Sequence, residues 1–301
     1  TGHASNPDFH SNSNYSSAMI IDCHTHIFPV EIRQQRETFF PQEPGFELLY
    51  RDIEKSKMVG AEELVAVMDE QGVDVSIVFG FPWQQAQTTQ LNNTYVIEAV
   101  RRFPDRLVGL CCLDPFMKDP VSEIERCLAG GLAGVGELAF YDRGLDDEVL
   151  KVLTPVMEFS LEKNLPVMMH TNEPVGHEYP GKAPMTLHQI TGLIKRFPEN
   201  KIILAHWGGG LFFYCLMKKE MQALLKNVYF DSAASPFLYD NRIYKYATEM
   251  IGVDHILFGS DFPLLKPERY FREMELSGLA TEQITAICGL NAARLMNIEV
   301  K

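Results

Sequence analysis

Within IIDCHTHIFP, residues 20–29, two histidines stand one residue apart at the end of an apolar run. In a strand, side chains alternate between faces, so His24 and His26 are expected to point the same way, with Asp22 on that side too. Two imidazoles on one side suit a divalent metal, whose commonest nitrogen ligand is neutral histidine. An HxH pair alone also fits surface or capping histidines, so the rest of the chain must decide. Further ligand-type residues close other apolar runs: Glu137 in LAGVGEL, His170 in PVMMH, His206 in KIILAH and Asp261 in HILFGSD. If these six positions converge, His24, His26 and His170 could hold a borderline cation, Zn before Mn or Fe, and leave a place for water. Such an ion lowers the pKa of its water toward about 7. Asp261 is then placed to take the proton as general base. His206 either ligates or polarises a carbonyl and stabilises an oxyanion. Glu137 is the candidate bridge to a second ion, with a cap or a structural ion pair as its other reading, so one or two ions are compatible with this set.

Convergence needs a scaffold. Eight short apolar runs recur between helical patterns, at 19–24, 73–80, 107–114, 132–138, 166–170, 201–206, 227–233 and 255–261. Most are continuous rather than alternating, as parallel strands covered on both faces should be. The helical stretch 61–72 puts Leu64, Val65, Val67 and Met68 on one side and closes on Gly72. That at 119–131 opens on Asp119 and Pro120, and that at 146–164 contains Pro155, where a kink or break is expected. Helical patterns also fit 91–102, 187–196, 211–226, 239–251 and 282–296. Eight β–α units predict a closed (β/α)₈ barrel as a single domain over 19–301, its chemistry at the strand C-terminal ends. A doubly wound sheet is the alternative, but DCHTHIFP is not its glycine-rich phosphate turn. The connection at 28–60 is too long for a neutral loop and reads as a lid or active-site wall.

A net charge of −13 disfavours a nucleic-acid partner. The six cysteines have no staple-like spacing, which suggests free thiols in a reducing cytoplasm. No apolar run reaches the ~20 residues of a membrane span. Residues 1–18 read as a tag-like or polar leader, so His3 and His10 are set aside and Met19 is the expected native start.

DCHTH, MMHTNEP, ILAHWGGG and ILFGSDFP resemble the motifs of the amidohydrolase superfamily, in particular its amidohydrolase-related branch, and GLNAARLMNI (289–298) resembles that branch's terminal helix. The resemblance spans most of 19–298 and implies a distorted TIM barrel. It implies that His24, His26, His170 and Asp261 are metal ligands, with His206 a ligand in some members and catalytic in others. It also suggests a homodimer. Many superfamily hydrolases carry a carbamylated lysine at the end of strand 4. Here GVGELAFYD supplies Glu137 instead, a segment similar to GEIGLD of TatD-like deoxyribonucleases, whose glutamate touches both metals.

The segment HTNEPVGHEYPGK (170–182) offers His177 and Lys182 to recognise a small polar or carboxylate-bearing substrate, and Phe79, Phe81 and Trp83 follow strand 2 as candidate pocket walls. Trp207 reads as a packing residue. In HWGGGL the glycines either free backbone N–H groups for an anion or allow close packing. The first functional expectation is hydrolysis of an amide, ester or lactone. Non-oxidative decarboxylation or hydration of an aromatic or unsaturated acid is the alternative, ahead of a nuclease or an inactive binding barrel.

Overall fold

The computed structural model describes residues 19–300; the leader expected over 1–18 lies outside the described residues. Eight parallel strands appear in chain order: β1 (Ile21–His26), β2 (Val75–Phe79), β3 (Leu107–Gly109), β4 (Val135–Leu138), β5 (Pro166–Met169), β6 (Lys201–Leu204), β7 (Val228–Asp231) and β8 (Ile256–Leu257). Each lies at one of the apolar runs. They pair as β1-β2-β3 and β4-β5-β6-β7-β8. Single bridges join the two sheets at both seams, Cys111 to Val135 and Thr25 to Phe262. Backbone hydrogen bonds support the second seam, from Cys23 N to Phe258 O and from Asp261 N to His24 O, both 2.9 Å. The result is the expected distorted (β/α)₈ barrel.

Two hydrophobic layers follow from strands buried on both faces. Ile21, Cys23, Ile77, Phe79, Leu110, Cys112, Met168, Ile203 and Leu257 fill the barrel, and Ala292, Ala293, Leu295 and Met296 of the helix Asn291–Met296 pack into the same cluster. The larger layer lies between strands and outer helices.

Strict alternation fails where it matters. Asp22 pairs with Ser76 and Thr25 with Val78, so three steps on β1 span two on β2. The extra residue resets the parity, and Cys23 and His24 both turn inward. Gly259 makes room for this, since a Cβ there would sit 2.8 Å from that of His24. Asp22, expected beside the histidines, instead accepts from the Ser260 backbone N–H at 2.9 Å and from the Ser260 hydroxyl. The same device recurs on β4, where Val135 pairs with Val167 and Leu138 with Met169. Val135 and Leu138 face the helices, while the extra residue lets Glu137 join Gly136 on the inner side.

The helix Asp147–Glu162 runs through Pro155 without the expected break. Buried Val149, Leu153, Val156 and Met157 hold it on the sheet on either side of the proline. The pattern at 211–226 resolves into the tail of the segment His206–Leu216, which is left-handed and not helical at Trp207, Gly208, Gly209 and Gly210, and a short helix, Glu220–Leu224. The long connection after β1 forms a wall containing the helices Val30–Gln34 and Pro44–Tyr50, sealed by Phe28, Ile32, Phe46, Tyr50, Phe81 and Trp83.

Candidate metal centre

The C-terminal ends of β1, β4, β5, β6 and β8 bring His24, His26, Glu137, His170, His206 and Asp261 to one place. Glu137 is the hub. Its Oε2 lies 3.7 Å from Nε2 of both His24 and His26, and its Oε1 lies 2.9 Å from His170 Nδ1 and 3.5 Å from His206 Nε2. Asp261 Oδ1 sits 3.4 Å from His26 Nε2 and 3.6 Å from His24 Nε2. Two overlapping trios, His24–His26–Asp261 and His24–Glu137–His206, keep their ligand atoms within 4.8 Å of one another. His170 stands outside both trios and joins through Glu137.

Each imidazole is fixed from behind. Nδ1 of His24 donates to Asp231 Oδ2 at 2.9 Å, that of His26 to Gly80 O at 3.0 Å, and that of His206 to Ala233 O at 3.0 Å. These partners accept only, so they assign the proton to Nδ1 and leave Nε2 bare. His170 is reversed: its Nε2 faces Gly181 O at 2.9 Å, which leaves Nδ1 toward Glu137. Neutral rings therefore present lone pairs to carboxylate lone pairs in a buried space. His24 Nε2 has no hydrogen-bond partner at all. An unmatched acceptor set of this kind calls for protons or a cation between its members, so the residues fit a divalent ion.

The electrostatics agree. Burial opposes charge on His24, but Asp231, Glu137 and Asp261 outweigh it and push the imidazolium up to about 10. His206 rises to about 9, burial being overcome by Glu137 and Asp261. Burial likewise works against ionisation of Glu137, yet the surrounding imidazoles hold it well below the usual carboxylate range. With nothing else bound, the pocket collects positive charge from protons; a dication would supply it instead.

Backbone strain supports the site. His206 and Trp207 have φ of 54° and 61°, and Asp261 has 59°, left-handed values that cost a non-glycine residue energy. Two glycines of HWGGG are held by close packing: a Cβ on Gly209 would lie 2.4 Å from Asn172 O, and one on Gly208 2.6 Å from the Phe230 ring. Trp207 is buried, and its Nε1 donates to Ser235 Oγ at 3.0 Å.

The expected substrate residues fare differently. Trp83, expected to line the pocket, is 0% exposed, and its Nε1 donates to Asn92 Oδ1 at 3.0 Å. It packs in the wall's own core and offers no free face. The Lys182 ammonium is spent on Glu173 at 3.2 Å and on the Val175 carbonyl at 2.6 Å, stapling the loop after β5. His177 is exposed on that loop beside the Tyr179 ring. Asp231 went unassigned at the sequence level, although a carboxylate closing the run NVYFD was a usable signal. It also accepts from the His206 backbone N–H at 2.9 Å.

Aromatic rings complete the enclosure. Centroids run His170–His206 at 5.0 Å, His206–His24 at 5.3 Å and His24–His26 at 5.2 Å. They continue His26–Phe28 at 6.5 Å, Phe28–Tyr50 at 5.4 Å and Tyr50–Phe81 at 6.0 Å. Phe81–Tyr141 at 6.1 Å and Tyr141–His170 at 5.2 Å close the circuit. Beyond Phe81 and Tyr141 opens a cleft of about 590 Å³, also lined by Glu43, Leu48, Asp114 and Phe140.

A family model described as amidohydrolase matches residues 21–298. Among solved structures, 5-carboxyvanillate decarboxylase from Sphingomonas paucimobilis is 18% identical, with a TM-score of 0.71 over 94% of this chain and 100% of that one. The Novosphingobium aromaticivorans 5-carboxyvanillate decarboxylase, complexed with manganese and 4-hydroxy-3-methoxy-5-nitrobenzoic acid, is 17% identical, with a TM-score of 0.73 over 95% and 97%. A dihydroxybenzoic acid decarboxylase from Polaromonas sp. JS666, with bound manganese and 2-nitroresorcinol, is 19% identical, with a TM-score of 0.68 over 93% and 97%.

Proposed function

We propose, from the premise that this chain belongs to the amidohydrolase family, that it is a metal-dependent non-oxidative decarboxylase of an aromatic acid. The observation that carries the reading is the pair Phe81 and Tyr141, which line the cleft, with Tyr50 beside them and Tyr141 against the His170 ring. Aromatic walls facing convergent polar groups complement a planar ring bearing a polar substituent. The likeness to decarboxylases supports the same choice, which stood as the alternative in the sequence reading behind hydrolysis.

His24, His26, Glu137, His170 and Asp261 would hold the ion, with His206 either a further ligand or a free base. Bound there, a divalent ion supplies Lewis-acid charge for the substrate carboxylate and a neighbouring oxygen. Zinc stood first from the sequence, whereas two of the similar structures contain manganese. The chain's own work is proton delivery and exclusion of water. Replacing a ring carboxylate by hydrogen needs a proton at the carbon that bears it; the C–C bond then breaks and its electron pair stays on the ring as CO₂ leaves. Asp261 is the group for this step: held ionised by the surrounding imidazoles against burial, it would take a proton from water and pass it to the ring carbon, and its side chain, 16% exposed against 5% for Glu137, reaches the open side of the cluster. His206, anchored through Nδ1, keeps its Nε2 edge toward the same space, and as an imidazolium it would donate from Nε2 to the substrate carboxylate.

The test is product analysis on protein expressed with Mn or Zn. A panel of hydroxybenzoates should release CO₂, while lactones and amides remain intact. Cleavage of lactones or amides without CO₂ release from any aromatic acid would restore the hydrolase reading.

A further inference from the structure

His170 has an acceptor at each ring nitrogen. Glu137 Oε1 lies 2.9 Å from Nδ1, and Gly181 O, in the loop after β5, lies 2.9 Å from Nε2. A neutral imidazole has one proton to give, and the bond made at one nitrogen decides whether the other keeps its lone pair. With the proton on Nε2, Nδ1 is free to hold an ion beside Glu137. Without Gly181 O the proton belongs on Nδ1, where the Glu137 carboxylate accepts it, and His170 stops being a ligand. One loop carbonyl therefore opposes a carboxylate for the ring proton.

A polar knot holds that carbonyl in place. Gly181 has φ of 97°, in the left-handed region open to glycine. Asn172 clasps the base of the loop: its Oδ1 accepts from Ala183 N at 2.9 Å and its Nδ2 donates to Ala183 O at 3.2 Å. Inside the clasp the Lys182 ammonium reaches Glu173 Oε1 at 3.2 Å, Val175 O at 2.6 Å and His177 O at 3.3 Å, which spends all three of its donors. Glu173 Oε2 accepts from the Tyr179 hydroxyl at 2.8 Å. The Lys182 and Glu173 side chains are only 7% and 12% exposed, so removing either leaves the other covered and unpaired.

We propose that Lys182 and Glu173 are positioning residues for the metal: their ion pair holds the Gly181 carbonyl against His170 Nε2 and so sets the affinity of the site for its ion. This rests on the metal-centre reading and not on the reaction assigned to it. Charge and positioning predict opposite signs for Lys182. Deleting a cation beside the site tightens a dication by Coulomb attraction alone, whereas losing the carbonyl weakens it.

The test is competition for zinc between the protein and a chromophoric chelator. Lys182→Met should weaken zinc about tenfold, the scale of losing a partner behind a metal ligand. Gly181→Ala leaves every charge in place but strains the backbone at this φ, and it should weaken zinc as well, which keeps the test available if Lys182→Met does not fold. Lys226→Met removes a cation from an exposed pair with Glu199, 3.0 Å apart, and should stay within about twofold of wild type. Tighter or unchanged zinc in Lys182→Met, unchanged zinc in Gly181→Ala, or an equal loss in Lys226→Met would overturn the proposal and leave the metal centre standing. Wild-type protein that takes up neither zinc nor manganese would overturn the metal centre itself.

Discussion

At the open end of the barrel, His24, His26, Glu137, His206 and Asp261 form trios within 4.8 Å; on the outer side of β3, Cys111, Glu123 and Cys127 crowd as closely and are just as buried. By residue type both are metal-ligand sets. They differ in what faces the acceptors. Glu123 receives Asn93 Nδ2 at 2.8 Å and a bidentate Arg126, at 2.7 and 2.8 Å, so each carboxylate oxygen has a donor and the charge is cancelled. In the mouth, the Nε2 atoms of His24, His26 and His206, each with its Nδ1 proton already spent, face the oxygens of Glu137 and Asp261, and His24 Nε2 has no hydrogen-bond partner. Proximity of histidine, cysteine and acid therefore does not define an ion site. An unmatched count of acceptors does.

That contrast can be broken most directly by His24→Ala. Metal content should fall to a trace and CO₂ release should drop by about 10²–10³-fold or more, the scale of losing a charge-stabilising group. Glu123→Gln should leave metal content untouched, as read by plasma emission on both variants. Asp261→Asn should retain most of the metal yet lose about 10²–10⁴-fold in turnover, because proton transfer is removed while the imidazoles remain. Asp231→Asn sharpens the comparison. It removes the acceptor that fixes the His24 tautomer, and metal affinity should weaken by about 10–100-fold in a chelator competition. Glu123→Ala belongs to stability rather than catalysis. Asn93 loses one of its acceptors and keeps the Cys112 carbonyl, while half-exposed Arg126 can reach water, so urea unfolding should show a loss of about 1–3 kcal/mol.

The smallest effect is a pH dependence. Burial disfavours ionised Glu123, but Arg126 and Asn93 reverse this and hold its carboxyl below the ordinary value of 4.5. The unfolded chain therefore takes up the proton first as pH falls. The stabilisation is complete above the ordinary value and is lost as pH drops through the lower folded one. Wild type should lose more stability than Glu123→Gln below about pH 4.5; parallel curves would show that Arg126 contributes nothing there.

Much of this was legible from the chain, and for definite reasons. Continuous apolar runs separated by amphipathic ones specify buried parallel strands, and the groups that end them must emerge at one rim once the barrel closes. The roles of Asp22, Trp83 and Lys182 were not legible. Asp22 leaves the site because a bulge, which has no residue signature, resets the parity of β1. Trp83 and Lys182 have the right chemistry in the right segments, but partners that the folded loops bring against them, Asn92 and Phe46 for one and Glu173 for the other, occupy them.

The sequence by itself determined the eight-unit architecture and which six ligand-type side chains stand at strand ends, because hydrophobic period and chain order are local properties. Only the tertiary structure decided which nitrogen of each imidazole faces inward, that Asp231 stands behind His24, and that Tyr50 and Tyr141 meet across Phe81. Those outcomes depend on partners supplied by other strands and loops, and hydrogen-bond matching in a buried space is set by where all the partners end up rather than by any one segment.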